Sequence, residues 1–155
     1  MRWLIVSVLL LPGIGWGAVA HGRDPVTCLA DTIYYEAATE PFAGKVAVGQ
    51  VVLNRVRDPA YPSNVCSVVY ASHIEPNGKR AAAFSWTLGR AWRAPGPRDP
   101  KVYAMCVSIA RRMLLGVLPA LIGPRVEYYH AFGVKPAWRH RHQLVAKIGR
   151  HLFYR

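Results

Sequence analysis

Residues 28–56 read Cys28-Leu-Ala-Asp31-Thr-Ile-Tyr-Tyr35-Glu36-Ala-Ala-Thr-Glu40-Pro41-Phe-Ala-Gly44-Lys45-Val-Ala-Val-Gly-Gln50-Val-Val-Leu-Asn54-Arg55-Val. The spacing predicts two successive helices. Asp24 ahead of Pro25 is a cap followed by a favoured first helical residue. The first helix is therefore expected to start at Pro25 and to stop near Glu40, because Pro41 disfavours helical geometry in the residue before it. The second is expected from Pro41 to about Arg57. Val46, Gly49, Val52, Leu53 and Val56 recur at helical spacing and define its core face.

On the N-terminal side, Arg2 precedes an uncharged apolar run from Trp3 to Ala20 that is broken by Pro12, Gly13, Gly15 and Gly17. It ends Ala18-Val19-Ala20, the small-x-small pattern of a signal-peptidase site. Residues 1–20 are read as a secretory signal peptide and 21–155 as one domain, with an uncleaved membrane anchor as the alternative. The reading places the protein outside the cytoplasm, in the periplasm or cell envelope, or secreted.

On the C-terminal side, Asp58–Pro62 is a turn, and Ser63 is expected to cap a short helix from Asn64 to Tyr70. From Ala71 to Pro97 periodicity fails and a long loop is expected, with Phe84-Ser85-Trp86 in its middle. Asp99-Pro100 repeats the cap-and-start signal for a helix running to Leu115 and ended by Gly116. Its inward face is read as Val102, Met105, Ile109 and Met113. Val126–His130 is rich in strand formers. After a loop from Gly133 to His142, Leu144–Tyr154 is expected as a closing strand or ribbon, with Gly149 as a turn or bulge.

The chain has 155 residues, 52% of them hydrophobic, and a formal charge of +12. The apolar content excludes intrinsic disorder, and 3 Cys are too few for a disulfide scaffold. A basic exported protein meets anionic envelope surfaces; export argues against nucleic acid as its partner. Cys28, Cys66 and Cys106 are an odd set, so one bridge with one thiol left over is the simplest outcome. Spacing leaves the pairing open; Cys28 with Cys66 is the candidate pair.

The acidic side chains are few. Asp24, Asp58 and Asp99 each precede Pro and read as caps or turn residues, which leaves Asp31, Glu36 and Glu40 on the first helix. Glu36 and Glu40 are four apart and share a face. Glu36 follows Ile33-Tyr34-Tyr35 and precedes two alanines, and an apolar setting can raise a carboxyl pKa toward about 6, which suits a general acid. An ordinary surface glutamate is the alternative. Gln50 and Asn54 form an amide stripe on the second helix that can bind sugar hydroxyls or N-acetyl groups, or else anchor loop backbone. Trp86, Trp92, Trp138, Tyr128 and Tyr129 can stack on sugar faces or fill the core. His73, His140 and His142 raise a zinc reading that the cationic run Trp138–His142 and the lack of an H-E-x-x-H motif argue against. No metal or cofactor is expected.

Several of these segments resemble the SleB-type cell-wall hydrolases, the spore-cortex-lytic enzymes and their relatives. The resemblance is carried by residues 28–56 and by Tyr61-Pro62-Ser-Asn-Val65-Cys66-Ser-Val-Val69-Tyr70. It continues in Phe84-Ser85-Trp86, Tyr128-Tyr129-His130-Ala131 and Ile148-Gly149-Arg150-His151-Leu-Phe153-Tyr154. It implies a small α+β domain, mostly helical, similar to the lysozyme and lytic transglycosylase group, with a short C-terminal β element. It implies a peptidoglycan hydrolase that acts on the glycan strand; a monomer is expected. The family's catalytic glutamate falls on Glu36, and Glu40, Gln50, Asn54, Ser85, Trp86, Tyr128 and His130 are the expected substrate contacts. Where the family has Arg-Gly this chain has Ala38-Thr39, and where it has Gln after the glycine this chain has Lys45. Ala83 stands before Phe84 where Gln is usual, and Thr87-Leu88-Gly89 lacks a common acid. A retaining or inverting glycosidase needs two carboxylates about the bond, whereas a lytic transglycosylase needs one, and the acidic shortage favours the latter. The alternative is a non-catalytic cationic peptidoglycan-binding protein on a degenerated hydrolase fold.

Overall fold

The computed structural model describes residues 23–74, 77–88 and 97–155. The expected signal peptide and Trp92 lie outside the described residues. Four helices come first or early: α1 (Pro25–Ala37), α2 (Phe42–Arg57), α3 (Val65–Val69) and α4 (Pro100–Leu114). A hairpin of β1 (Ser72–Ile74) and β2 (Arg80–Ala82) stands between α3 and α4. A three-stranded sheet closes the chain: β3 (Tyr128–Ala131), β4 (Leu144–Ile148) and β5 (His151–Tyr154), antiparallel in the order β3-β5-β4.

The local signals act as expected at most helix ends. The Asp24 carboxylate accepts from the Val26 and Thr27 amides, and Asp99 does the same for Lys101 and Val102. Each satisfies amides that a helix start leaves without partners. At α3 the cap is Asn64, which accepts from Ser67 N, and not Ser63. The expected loop from Ala71 to Pro97 holds the β1–β2 hairpin and a 3-10 turn at Ser85–Thr87. Both elements are only three residues long, too short for periodicity to reveal. On α4 the inward face includes Cys106 with Ile109, Ala110 and Met113, while Met105 is half exposed.

α1 packs on α2, α3 and α4, and their shared core contains Leu29, Ile33, Val52, Val65, Val69 and Ile109. A second core lies on the opposite side of α2, where Ala47, Val48 and Val51 meet Ile122, Val126 and Phe153. α2 is therefore buried on two faces, which explains why one apolar stripe in its sequence understates its burial. A disulfide joins Cys28 of α1 to Cys66 of α3, with the Cα atoms 5.3 Å apart. Cys106 is buried and reduced, its thiol pushed up to about 11 by burial.

Glu40 connects the helices to the sheet. It follows the C-terminal turn of α1, and its carboxylate accepts from Arg150 N at 2.8 Å and from Arg150 Nε at 2.9 Å. Arg150 lies in the two-residue turn between β4 and β5 with Gly149, whose φ is +59°. Positive φ at the first central residue only is the type II′ pattern, which favours Gly there. A Cβ on Gly149 would also collide with Glu40 Oε2, and one on Gly44 would lie 2.9 Å from the Glu40 Cβ. The carboxylate thus fits between two glycines.

The disulfide closes a 38-residue separation, for which chain entropy gives about 4 kcal/mol of stabilisation. The double variant Cys28→Ser, Cys66→Ser is expected to lose an amount of that order in urea unfolding; an unchanged midpoint would contradict the role assigned to the bridge.

Candidate active site

Glu36 lies in the last turn of α1 and is partly buried. The Tyr129 hydroxyl, from β3, donates to Glu36 Oε2 at 3.0 Å. Tyr35 beside it stacks on Trp86, with ring centroids 4.7 Å apart and planes at 25°, and Tyr70 meets the same indole edge-on. Trp86 Nε1 is buried with no hydrogen-bond partner among the described residues. Ser85, one residue earlier, is exposed. Burial pushes the Glu36 carboxyl above its ordinary value of 4.5, while the Tyr129 hydrogen bond and the Arg55 charge pull it partly back. The carboxyl therefore holds its proton to higher pH than a solvated glutamate, as a general acid requires.

Arg55, on α2, is fixed by a hydrogen bond from Nε to the Glu127 carbonyl at 2.9 Å. Its guanidinium lies over the rings of Tyr61 and Phe84, at 5.6 and 5.5 Å. Its charge reaches both Glu36 and Glu127. Burial and the neighbouring Asp58 push Glu127 up as well. Tyr128 forms an aromatic cluster with Trp138 and His142, its ring centroid 4.0 Å from that of His142, and its hydroxyl contacts that of Tyr61 at 3.3 Å. His142 is thereby held in a ring cluster. Among the described residues no group of three His, Cys, Asp or Glu side chains is arranged to hold a metal ion.

Four of the expected substrate contacts are engaged inside the protein. The Glu40 side chain is 3% exposed and bonded to Arg150, so it does not face a sugar. Burial alone would raise its pKa, but the two Arg150 hydrogen bonds and the charges of His151 and Arg150 outweigh it and hold the carboxyl below 4.5. Gln50 donates to Pro119 O and accepts from Leu121 N and Ile122 N. Asn54 donates to Gly123 O and Val126 O. The amide stripe therefore anchors the 119–126 segment, because that segment carries backbone groups with no ladder of their own. His130 is buried, with Nε2 2.9 Å from the Tyr154 hydroxyl. Ser85, Trp86 and Tyr128 keep access to solvent. Tyr129, expected from sequence either to stack on a sugar or to fill the core, is the direct partner of Glu36. Its place in a strand-forming run beside His130 signals a strand but not the helix it meets.

The departures Ala38, Thr39 and Lys45 lie next to one another. Lys45 is buried, and its Nζ donates to the carbonyls of Ala38, at 2.8 Å, and Glu40. A cation on the carbonyls that follow a helix end satisfies acceptors left there and complements the helix dipole. Arg150 Nη2 donates to Thr39 Oγ1. The turn is fully engaged in this chain's own way.

The chain belongs to the cell wall hydrolase family, whose model matches residues 39–154. It is similar to the spore cortex-lytic enzyme of Halalkalibacterium halodurans, 28% identical over 135 residues, covering 86% of this chain and 35% of that protein. It is also similar to that of Bacillus subtilis, 29% identical over 136 residues, covering 84% of this chain and 37% of that one. The chain spans well under half the length of these curated relatives. Its fold matches the catalytic domain of SleB from Bacillus anthracis, described as a germination-specific lytic transglycosylase. The TM-score is 0.63 at 25% identity, covering 88% of this chain and all of that one. The catalytic domain of Bacillus cereus SleB matches with a TM-score of 0.60 at 24% identity, covering 92% of this chain. The expected α+β, predominantly helical architecture is the one observed.

Two outcomes follow from the geometry. Tyr129→Phe removes a hydrogen bond that favours the carboxylate, so the Glu36 titration midpoint, followed by carboxyl NMR, is expected to move upward. Glu40→Ala is expected to cost about 1.5–3 kcal/mol, the range for hydrogen bonds to a charged group. The Glu40 pKa is depressed in the fold, so its stabilisation is present above 4.5 and is lost as pH falls through the lower folded value. The gap between wild type and variant in chemical denaturation should therefore narrow in acid.

Proposed function

We propose that this chain cleaves the glycan strand of peptidoglycan between N-acetylmuramic acid and N-acetylglucosamine, with Glu36 as the single acid/base of a lytic transglycosylase. The protonated carboxyl gives its proton to the glycosidic oxygen as the bond to C1 of N-acetylmuramic acid breaks. The C6 hydroxyl of the same sugar attacks C1 and loses its proton to the Glu36 carboxylate, which restores the acid. The product is a 1,6-anhydro end, and water is not consumed.

The observation that carries this reading is the Glu36 carboxyl, partly desolvated and held by Tyr129 beside the Tyr35–Trp86 stack. The other acids nearby in sequence have partners elsewhere: Asp31 of α1 accepts from the Tyr103 hydroxyl at 2.8 Å and Glu40, in the turn after α1, is paired with Arg150. Trp86, Tyr128 and Ser85 are the proposed sugar contacts. Membership in the cell wall hydrolase family and the likeness to a lytic transglycosylase domain support the substrate class. Export after cleavage at Ala20 and action as a monomer belong to the same proposal.

Glu36→Gln is expected to lower the release of muropeptides from purified sacculi by about 10²–10⁴-fold, the usual contribution of a general acid. Product masses should be one water lower than those of a hydrolysed reducing end. Full-mass ends would replace the transglycosylase with a hydrolase. Wild-type turnover by the variant, or salt-sensitive binding with no release by the wild type, would refute the enzyme.

A further inference from the structure

The C-terminal end of α4 and the segment after it carry a surface that the catalytic reading does not use. Leu115, Val117 and Leu121 are 69%, 60% and 40% exposed, and Leu114 is exposed as well. An isolated exposed apolar residue is ordinary, but four within eight positions form a patch of the kind that marks an interaction site. Their backbone is tightly held. Gly116 N donates to Met113 O and Val117 N to Arg112 O, each at 3.0 Å, and Gly116 has φ +71°. These two bonds are the Schellman motif. In that motif an apolar residue at the position of Val117 commonly packs back on the position taken here by Arg112, and this chain leaves Val117 turned out. Gln50 clamps Pro119, Leu121 and Ile122 by three hydrogen bonds. Leu118 and Ile122 pack inward while Val117 and Leu121 stay outside. The exposure therefore belongs to an ordered tip.

The charge along this segment has one sign. Arg111 and Arg112 occupy the last turn of α4, Arg125 follows, and all three are exposed. Residues 100–126 contain no Asp or Glu. Exposed apolar side chains flanked along the chain by exposed arginines, with no acid in the segment, match the two layers of an anionic bilayer. The leucines and valine would enter the acyl boundary and the guanidinium groups would pair with lipid phosphates. We propose that this tip docks the domain on a membrane surface rich in anionic phospholipid. An anionic wall polymer would use the arginines but gives no reason to hold four aliphatic side chains in water. The inference is independent of the role assigned to Glu36.

The test uses the full chain with a local readout, so that the apolar N-terminal run does not contribute to the signal. An environment-sensitive dye is attached at Val117→Cys, and in a second sample at Lys101→Cys, at the opposite end of α4. The wild-type Cys106 is buried and does not compete. With vesicles of phosphatidylcholine and phosphatidylglycerol, the dye at position 117 is expected to shift to the blue and the dye at 101 to stay unchanged. Adding Arg111→Gln and Arg112→Gln to the Val117→Cys sample should weaken the apparent partition about twenty-five-fold, at roughly fivefold per basic residue near an anionic surface. The same charge loss at Arg139 and Arg141 should have a clearly smaller effect. The proposal is overturned if position 117 gives no shift, if neutral vesicles shift it equally, or if the two arginine pairs act alike. A shift with soluble wall polymer but not with vesicles would likewise overturn it.

Discussion

The Glu40–Arg150 pair holds the two halves of the molecule in register. Glu40 ends the turn between α1 and α2, and Arg150 lies in the turn between β4 and β5, 110 residues later. The carboxylate takes both the backbone amide and the guanidinium of Arg150, so it fixes a turn and not merely a side chain. β5 leaves that turn and pairs with β3, placing Tyr129 opposite Phe153. Tyr129 then reaches Glu36. The position of the Glu36 carboxyl thus depends on another glutamate, four residues along the chain, whose side chain is buried.

This arrangement separates two carboxylates of similar sequence context. Both Glu36 and Glu40 are partly or wholly withdrawn from water, and withdrawal alone raises a carboxyl pKa. Glu40 receives two hydrogen bonds and a cation, which outweigh the loss of solvent, and it stays ionised. Glu36 receives one hydrogen bond from a neutral hydroxyl and the more distant charge of Arg55, which do not. One becomes a fixed anion of the framework and the other a group that can hold and release a proton. Lys45 belongs to the same turn, where its buried ammonium faces the carbonyls of Ala38 and Glu40. Thr39, in the same turn, accepts from Arg150, so the turn is tied to both α2 and the sheet.

α2 is the second organising element. One side contributes to the core shared with α1 and α4, the other to the core beneath the sheet, and its amides and Arg55 bind the segment that links α4 to β3. The family match covers α2 and everything after it, and the geometry around α1 and β3 brings Glu36 against Tyr129.

What could be read from the sequence was governed by short-range physics. Asp24-Pro25 and Asp99-Pro100 start helices because a carboxylate three residues from an amide needs no distant partner. Pro41 separates α1 from α2 by sterics with its own neighbour. Apolar periodicity gave the helical cores; residue types left Asp31, Glu36 and Glu40 as candidates, and the family resemblance pointed to Glu36. The tertiary structure alone decided the roles of the polar side chains. Asn54 looked equally suited to a sugar or a loop, and its partners lie 69 and 72 residues away. Tyr129 could not be joined to Glu36 across 93 residues by any local rule. A hydrogen bond depends on where two atoms meet after the chain has folded, and spacing along the chain carries that information only within a turn or two of helix.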